Sequence, residues 1–106
     1  MPLPRRLILS REAALDIEAA RRWLRQPGAG RRAAERLRQI RVVILELRTA
    51  PLRWPFGEHD GVREAGAGSY RILYQVEPES DISEGDVVVL RVFGPRQDRS
   101  DLLRGS

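Results

Sequence analysis

Two alternating apolar segments in the second half of the chain constrain its fold more than any other feature. The first runs from Ser69 to Val76 and the second from Val87 to Phe93, with a short loop between them. Because successive side chains of a strand point to opposite faces, the two segments predict neighbouring β-strands. If their apolar sets line one core, Arg71 and Arg91 emerge together on the other face, which we expect to be shallow and open.

Two helices are predicted in the first half of the chain. Ser10 is a good N-cap for a first helix that ends near Arg25, and the second helix runs from about Arg31 to Arg48 after a break rich in proline and glycine. Apolar residues recur at helical spacing along one face of each helix. These stripes are Ala13, Ile17, Ala20 and Leu24 in the first helix and Ala33, Leu37, Ile40, Ile44 and Leu47 in the second.

Shorter strands at Arg6–Leu9 and Val62–Ala65 complete an element order of β-α-α-β-β-β. Two consecutive helices joined by a short turn form a hairpin that covers one face of a sheet. We therefore predict an α+β fold, with a helix hairpin packed on a small antiparallel-dominated sheet of about four strands. The chain is expected to form a single domain, residues 1–106, with a flexible polar tail at residues 96–106.

The basic residues are all arginines, and their distribution is uneven. Residues 1–56 carry 13 arginines and 5 acidic residues, a charge of +8, whereas residues 57–106 carry 6 arginines and 10 acidic residues, a charge of −4. A basic, helical half favours an anionic partner, either nucleic acid or an acidic protein segment. The chain has no cysteine, which excludes disulfides and thiolate metal sites and fits a cytoplasmic location.

The sequence excludes several classes of site. No apolar run approaches the ~20 residues of a membrane span, and the run Leu7–Leu9 is too short for the core of a signal peptide. No G-x-S-x-G, P-loop or H-E-x-x-H pattern is present. His59, the only histidine, lies between two acidic residues in a loop with glycine and proline, which is typical of solvated residues rather than metal ligands. We expect no metal, no organic cofactor and no membrane contact.

Arg71 and Arg91 have two interpretations. They are surface arginines that cross the sheet and pair with Glu64, or they form an anion-facing patch that continues after the last strand. The second interpretation predicts a target-binding surface, whose candidate residues are Arg63, Arg71, Arg91, Arg96 and Arg99.

The second helix has more apolar surface than one core face explains. Its C-terminal half is apolar over more than one face, at Val42, Val43 and Leu45, so we expect a partner to cover the excess. Four arginines of the same helix share an arc of about 100°, namely Arg31, Arg38, Arg41 and Arg48. That arc is either a solvated face or a docking surface for an acidic partner.

These segments resemble the RelE/ParE toxin superfamily. The resemblance covers nearly the whole chain through the order of elements and through five segments, which are Leu9–Ile17, Ala33–Ile40, Val62–Glu64, Tyr70–Val76 and Val87–Asp98. It implies the toxin half of a toxin–antitoxin pair, with growth inhibition and plasmid stabilisation as expected roles. It also implies a bound antitoxin that holds the toxin inactive in a hetero-oligomer. Val42, Val43 and Leu45 then become candidate antitoxin-binding residues.

The superfamily divides by target, and RelE-like members cut mRNA in the ribosome. Their catalytic set resembles two arginines, a lysine pair and a C-terminal tyrosine. Arg71 and Arg96 match the two arginines and would be catalytic in a ribonuclease. The lysine positions instead hold Val62 and Glu64, and the tyrosine falls near the leucines at 102 and 103.

ParE-like members resemble the chain more closely, through Arg63-Glu64 and the segment Leu90–Asp98, in which Phe93 replaces the usual histidine. Such members inhibit DNA gyrase by protein–protein contact, without active-site chemistry. We therefore expect a gyrase-directed toxin that is not an enzyme. Two alternatives stay open: a RelE-like, ribosome-dependent mRNA endoribonuclease, and a non-toxin basic module that binds nucleic acid on the open sheet face.

Overall fold

The part of the chain that the computed structural model describes, residues 4–28, 30–81 and 84–94, contains two helices and four strands. They follow in the order β1 (Arg6–Leu9), α1 (Arg11–Leu24), α2 (Gly30–Glu46), β2 (Arg63–Ala67), β3 (Tyr70–Glu77) and β4 (Asp86–Phe93). This order confirms the predicted α+β fold. The predicted tail at residues 96–106 lies outside the described residues.

The described strands form one mixed sheet in the order β1-β4-β3-β2. Pairing is antiparallel between β2 and β3 and between β3 and β4, whereas β1 runs parallel to β4, with Arg6 opposite Asp86 and Leu9 opposite Val89. A parallel pair needs a long crossover connection, and the intervening helices and β-hairpin supply it. The predicted dominance of antiparallel pairing is confirmed among these strands, with β1 as the parallel member.

Ser10 fixes both the start of α1 and its attachment to the sheet. Its Oγ accepts a hydrogen bond from the backbone N–H of Ala13 at 3.0 Å and donates one to the carbonyl of Leu90 at 2.8 Å. Glu12 lies in the first turn, where a carboxylate faces the positive end of the helix dipole. The predicted N-cap is confirmed, and it places the start of α1 beside β4 at the point where β1 ends.

The main core lies between the helix hairpin and one face of the sheet. Buried residues of both predicted helical stripes contribute to it, namely Ala13, Ala20, Leu24, Ala33, Ile40, Ile44 and Leu47. Tyr74 of β3 is fully buried, and its hydroxyl donates a hydrogen bond to the carbonyl of Pro51 at 2.6 Å. Burial raises the pKa of this hydroxyl to about 12, so it remains a protonated donor at neutral pH.

The helix α2 ends at Glu46, earlier than the predicted Arg48. The carbonyl of Arg48 accepts a hydrogen bond from the N–H of Arg5 at 2.8 Å, and the Nε of Arg48 donates one to the carbonyl of Arg5 at 3.0 Å. Arg48 therefore joins the end of α2 to the start of β1. Since it lies beyond the end of the helix, it is not part of the predicted arc of arginines on α2.

A β-bulge in β4 breaks the alternation that the sequence predicts. Leu73 lies opposite Arg91, but the next residue of β3, Tyr74, lies opposite Val89, so Leu90 is an extra residue in the ladder. Because a bulge inserts one unpaired residue, side chains after it change face.

The bulge also changes what covers the second sheet face. Val87 and Val89 pack with the helices, and after the bulge Val92 does so too. Phe93 instead joins Val62 and Leu73 in a second cluster, in which the three are exposed by 3%, 4% and 2%. The expectation of a bare, open face is therefore wrong at these positions, since they are buried.

Among the described residues, the buried charged residue is Arg5, which has 1% of its surface exposed. Its Nη1 donates to the carbonyl of Pro78 at 3.0 Å and its Nη2 to the carbonyl of Ser80 at 2.8 Å. The side chain thereby holds the start of the β3–β4 loop against the start of β1. No periodicity predicts this burial, because Arg5 and Arg6 look alike in the sequence.

Candidate functional site

Arg71, a member of the candidate target-binding set, lies on the sheet face opposite the helices. Its Nε is 3.9 Å from Oε1 of Glu64, and its Nη1 donates to the carbonyls of Gly68 and Tyr70, each at 3.0 Å. The side chain remains 41% exposed. The pairing with Glu64 confirms one of the two interpretations of Arg71, and it leaves a half-exposed cation with a carboxylate beside it.

A glycine in β2 makes room for this guanidinium. Gly66 lies directly opposite Arg71 in the ladder. A Cβ at that position would come within 3.2 Å of Nη1 of Arg71. The Arg71 side chain therefore lies close across the β2 backbone, and any larger residue at 66 would displace it.

Arg91 does not accompany Arg71, and the expectation that the two emerge together is wrong. Its Nε and Nη2 donate to the two carboxylate oxygens of Asp16 at 2.7 and 2.9 Å, and the backbone N–H of Val92 donates to the same carboxylate at 2.8 Å. The side chains of Arg91 and Asp16 are only 19% and 11% exposed. The hydrogen bonds that Arg91 donates to Asp16 raise the pKa of the Arg91 guanidinium above its ordinary value.

The cause is the bulge at Leu90 together with the short length of β1. The parallel pairing of β1 with β4 ends at Leu9 and Val89. Beyond that point Asp16 of α1 takes the place of a neighbouring strand by accepting the N–H of Val92. Because Arg91 comes directly after the bulged residue, its side chain reaches Asp16 at the same edge of the sheet and joins α1 to β4.

Arg63 is also engaged within the chain. Its side chain is 12% exposed and pairs with Glu79. It donates to the carbonyls of Leu52 and Trp54, and its guanidinium lies 4.2 Å from the ring centroid of Phe56. Arg63 thus organises the segment before β2, and little of its guanidinium faces solvent. Contact between Arg63 and a target stays a prediction.

The other predicted cations, Arg96 and Arg99, lie outside the described residues. Of the predicted target-binding set, the described structure places Arg71 alone on the sheet face with substantial exposure. Between residues 4 and 94, with 29, 82 and 83 excepted, no three His, Cys, Asp or Glu side chains converge as metal ligands.

The predicted antitoxin-binding residues border a groove between α2 and the end of β2. The groove has a volume of about 530 Å³ and is lined by residues 66–68 and by six residues of α2, which are Glu35, Arg38, Gln39, Val42, Val43 and Glu46. Val42 is 43% exposed and Val43 is half-buried. Leu45 is 47% exposed but does not line the groove. The structure therefore brings two of the three residues into one groove and places the third beside it.

The groove also contains a free strand edge. Hydrogen bonds from Gly57 to Val62 and from Glu64 to Pro55 cover the outer edge of β2 only as far as Glu64. Because the backbone groups of an antiparallel strand alternate between its two edges, those of Gly66 point to the same side. No described strand pairs with β2 there. An apolar wall and an unpaired edge together suit an extended peptide.

Asp16 is the site residue that residue-by-residue reasoning missed. It carries no helical or strand periodicity of its own, and its partner Arg91 lies 75 residues further along the chain. The signal was present in the segment Leu9–Ile17, which contains Asp16 and carries part of the family resemblance.

Comparison with known proteins gives a family and a fold. The family model described as the ParE toxin of the type II toxin–antitoxin system parDE matches residues 7–99. A sequence search of curated proteins finds no significant match. No helix in the described part of the chain is long and apolar enough to cross a membrane.

Solved structures that share the fold include the following two. One is the toxin–antitoxin complex RelBE2 from Mycobacterium tuberculosis, with 23% identity over 87% of this chain and 92% of that one, at a TM-score of 0.60. The other is the chromosomal ParDE system from P. aeruginosa, with 18% identity over 85% of this chain and 95% of that one, at a TM-score of 0.64. At these identities the likeness concerns the fold alone.

Proposed function

Because the chain belongs to the ParE toxin family of type II toxin–antitoxin systems, we propose that it is the toxin of such a pair and that it acts on DNA gyrase. A cognate antitoxin would hold it inactive in a hetero-oligomer in the cytoplasm. Inhibition would rest on protein–protein contact, and the chain would need no catalytic chemistry of its own.

The surroundings of Arg71 are the observation that favours gyrase over the ribosome as the target. Where the resemblance to RelE-like nucleases calls for two cations, this chain has Val62, which is 4% exposed, and Glu64, which lies 3.9 Å from Arg71. A carboxylate at that distance offsets the charge of the guanidinium and repels a phosphate backbone. This arrangement supports a protein target rather than RNA cleavage.

A half-exposed arginine held by its own neighbours suits a protein interface. Arginine is among the residues that most often dominate binding energy in such interfaces. We assign target contact to Arg71, with Arg96 and Arg99 as further proposed contacts. Arg63 and Arg91 would act by positioning, since both are used within the chain.

The test compares two readouts on the same purified chain. We expect inhibition of plasmid supercoiling by gyrase, with accumulation of DNA breaks, and no mRNA cleavage on ribosomes. Arg71→Ala should weaken inhibition by roughly 5- to 30-fold, the cost of losing an interface anchor. Arg53→Ala is the matched control, because Arg53 is also exposed, by 60%, and also pairs with a glutamate. It should leave inhibition within about twofold of the wild type.

The opposite outcome identifies the alternatives. Ribosome-dependent mRNA cleavage by the wild type, reduced about 10²- to 10³-fold by Arg71→Ala, would overturn the gyrase assignment and make Arg71 and Arg96 catalytic. Absence of both activities, with tight binding of nucleic acid to the sheet face, would favour the non-toxin module.

The antitoxin is proposed to occupy the groove between α2 and β2. An extended antitoxin segment would pair with the free edge at Gly66 and bury apolar side chains against Val42 and Val43, with Leu45 at the rim. Each Å² of apolar surface removed from water contributes about 25 cal/mol. Main-chain pairing would supply affinity and the apolar contacts would supply specificity.

We expect Val42→Asp to weaken antitoxin binding by tenfold or more, because it would place a carboxylate against the apolar part of the groove. Leu45→Asp, at the rim, should weaken binding by a smaller factor. Leu15→Asp is the control, since Leu15 is 58% exposed on α1 and does not line the groove. Calorimetric titration with the antitoxin encoded beside this chain measures the effect. Unchanged affinity in folded Val42→Asp and Leu45→Asp proteins would contradict the proposed site.

A further inference from the structure

The loop end of the helix hairpin concentrates the positive charge of the chain. This hairpin end, residues 18–36, contains six arginines, which are Arg21, Arg22, Arg25, Arg31, Arg32 and Arg36. Its acidic residues are Glu18 and Glu35, so it carries a charge of +4. The rest of the chain holds 13 arginines and 13 acidic residues and is neutral. The whole net charge of +4 therefore resides at the hairpin end.

The six arginine side chains at the hairpin end face solvent. All six are exposed. No ion pair or side-chain hydrogen bond in the described part of the chain involves any of them. In contrast, ion pairs join Arg63 to Glu79, Arg71 to Glu64 and Arg91 to Asp16.

Helix stability explains only two of the six arginines. Arg21 and Arg22 lie in the last turn of α1, where cations interact favourably with the helix dipole. Arg31 and Arg32 lie at the start of α2, whose first turn has no acidic residue. Cations there oppose the positive end of the dipole, so the arrangement weakens the helix. Charge that breaks a local stability rule indicates a function.

The surroundings of these arginines match a nucleic-acid surface better than a protein interface. The core of a protein interface is apolar and poor in charge, whereas the large apolar side chain exposed here is Trp23, at 64%. Trp23 and Arg36 line one shallow cleft of about 270 Å³. A single aromatic ring does not form a stacking platform for single strands. Six unpaired cations instead fit a dense row of phosphates, as a duplex presents.

We propose that the hairpin end binds double-stranded DNA through its phosphates, without base specificity. Backbone N–H groups at the start of α2 add to the arginines, because a helix N-terminus attracts anions. None of the six arginines lines the groove beside β2, which the hairpin end borders only at Glu35, and Arg71 lies on β3. This proposal does not depend on gyrase being the target, although a target that itself holds DNA would give the surface a use.

The test measures binding of the full chain, freed of partner proteins, to a labelled 24-base-pair duplex of mixed sequence. We expect binding at 50 mM salt that weakens roughly 10²- to 10³-fold at 200 mM, as four to six phosphate contacts would require. Arg25→Gln, Arg31→Gln and Arg32→Gln, combined, should lower the slope of log K against log salt by about 2–3. The same three positions changed to lysine should keep the slope.

The matched control removes three exposed arginines away from the hairpin end, by Arg6→Gln, Arg11→Gln and Arg53→Gln. It has the same net charge and should bind nearly as the wild type does. An equal loss of DNA affinity in both triple variants would show that binding depends only on net charge, and it would overturn the proposal. Absence of salt-dependent binding would overturn it too, as would stronger competition by polyglutamate or single-stranded RNA than by unlabelled duplex. The wild-type titration and competition decide the matter even if a variant fails to fold.

Discussion

Replacing Arg5 with alanine should lower the free energy of unfolding by about 2–4 kcal/mol. The substitution empties the space of a side chain that is 1% exposed and removes the donors at 3.0 and 2.8 Å from the carbonyls of Pro78 and Ser80. Arg5→Met, which keeps much of the volume without the buried charge, should recover part of the loss. Urea denaturation followed by circular dichroism measures both.

Arg6→Ala is the matched control for Arg5. The two arginines are adjacent, but the Arg6 side chain is 73% exposed and pairs with Asp86 at the surface. Its loss should leave the unfolding midpoint almost unchanged, because exposed ion pairs contribute little. Equal destabilisation by Arg5→Ala and Arg6→Ala would contradict the buried role of Arg5.

We expect Asp16→Ala to destabilise the fold by about 2–4 kcal/mol. The carboxylate accepts three hydrogen bonds that join α1 to β4, two from Arg91 and one from the N–H of Val92. Removing it leaves a guanidinium that is 19% exposed without its carboxylate and an edge N–H without an acceptor. Such groups are costly to leave unpaired away from water.

Two comparisons isolate this effect. Glu18→Ala removes the same charge from the exposed side of α1 and should change stability within about 0.5 kcal/mol. Arg91→Lys retains the charge but cannot form the bidentate pair, so it should lie between the wild type and Asp16→Ala. If Asp16→Ala and Glu18→Ala unfold at the same urea concentration, the anchoring role of Asp16 is wrong.

The elements were readable from sequence because their signals are local. The Ser10 cap, the apolar stripes of both helices and the β-α-α-β-β-β order all depend on residues within a few positions of one another. Strand alternation placed Ile72 and Tyr74 on the core side of β3 correctly. The same rule failed in β4, because the bulge at Leu90 arises from the pairing with β3 and not from the segment itself.

Part of the candidate site could likewise be predicted from the sequence, and part could not. The excess apolar surface at Val42 and Leu45 was visible as positions off the helical stripe, and both are exposed in the structure. The groove between Val42 and Gly66 was not visible, since its two walls come from separate elements. The pairing of Arg71 with Glu64 was one of two interpretations, and only the register of β2 against β3 decided it.

The helices, the strands, the core faces of both helices and of β3, and the concentration of charge at the hairpin end all follow from the sequence. The tertiary structure alone decided that Arg91 fastens α1 to β4, that Arg5 is buried while Arg6 is not, and that β1 pairs in parallel with β4. These contacts join residues 73 to 80 positions apart. Local spacing fixes which face of an element is apolar, but the partner of a charged side chain depends on which distant elements the folded sheet brings beside it.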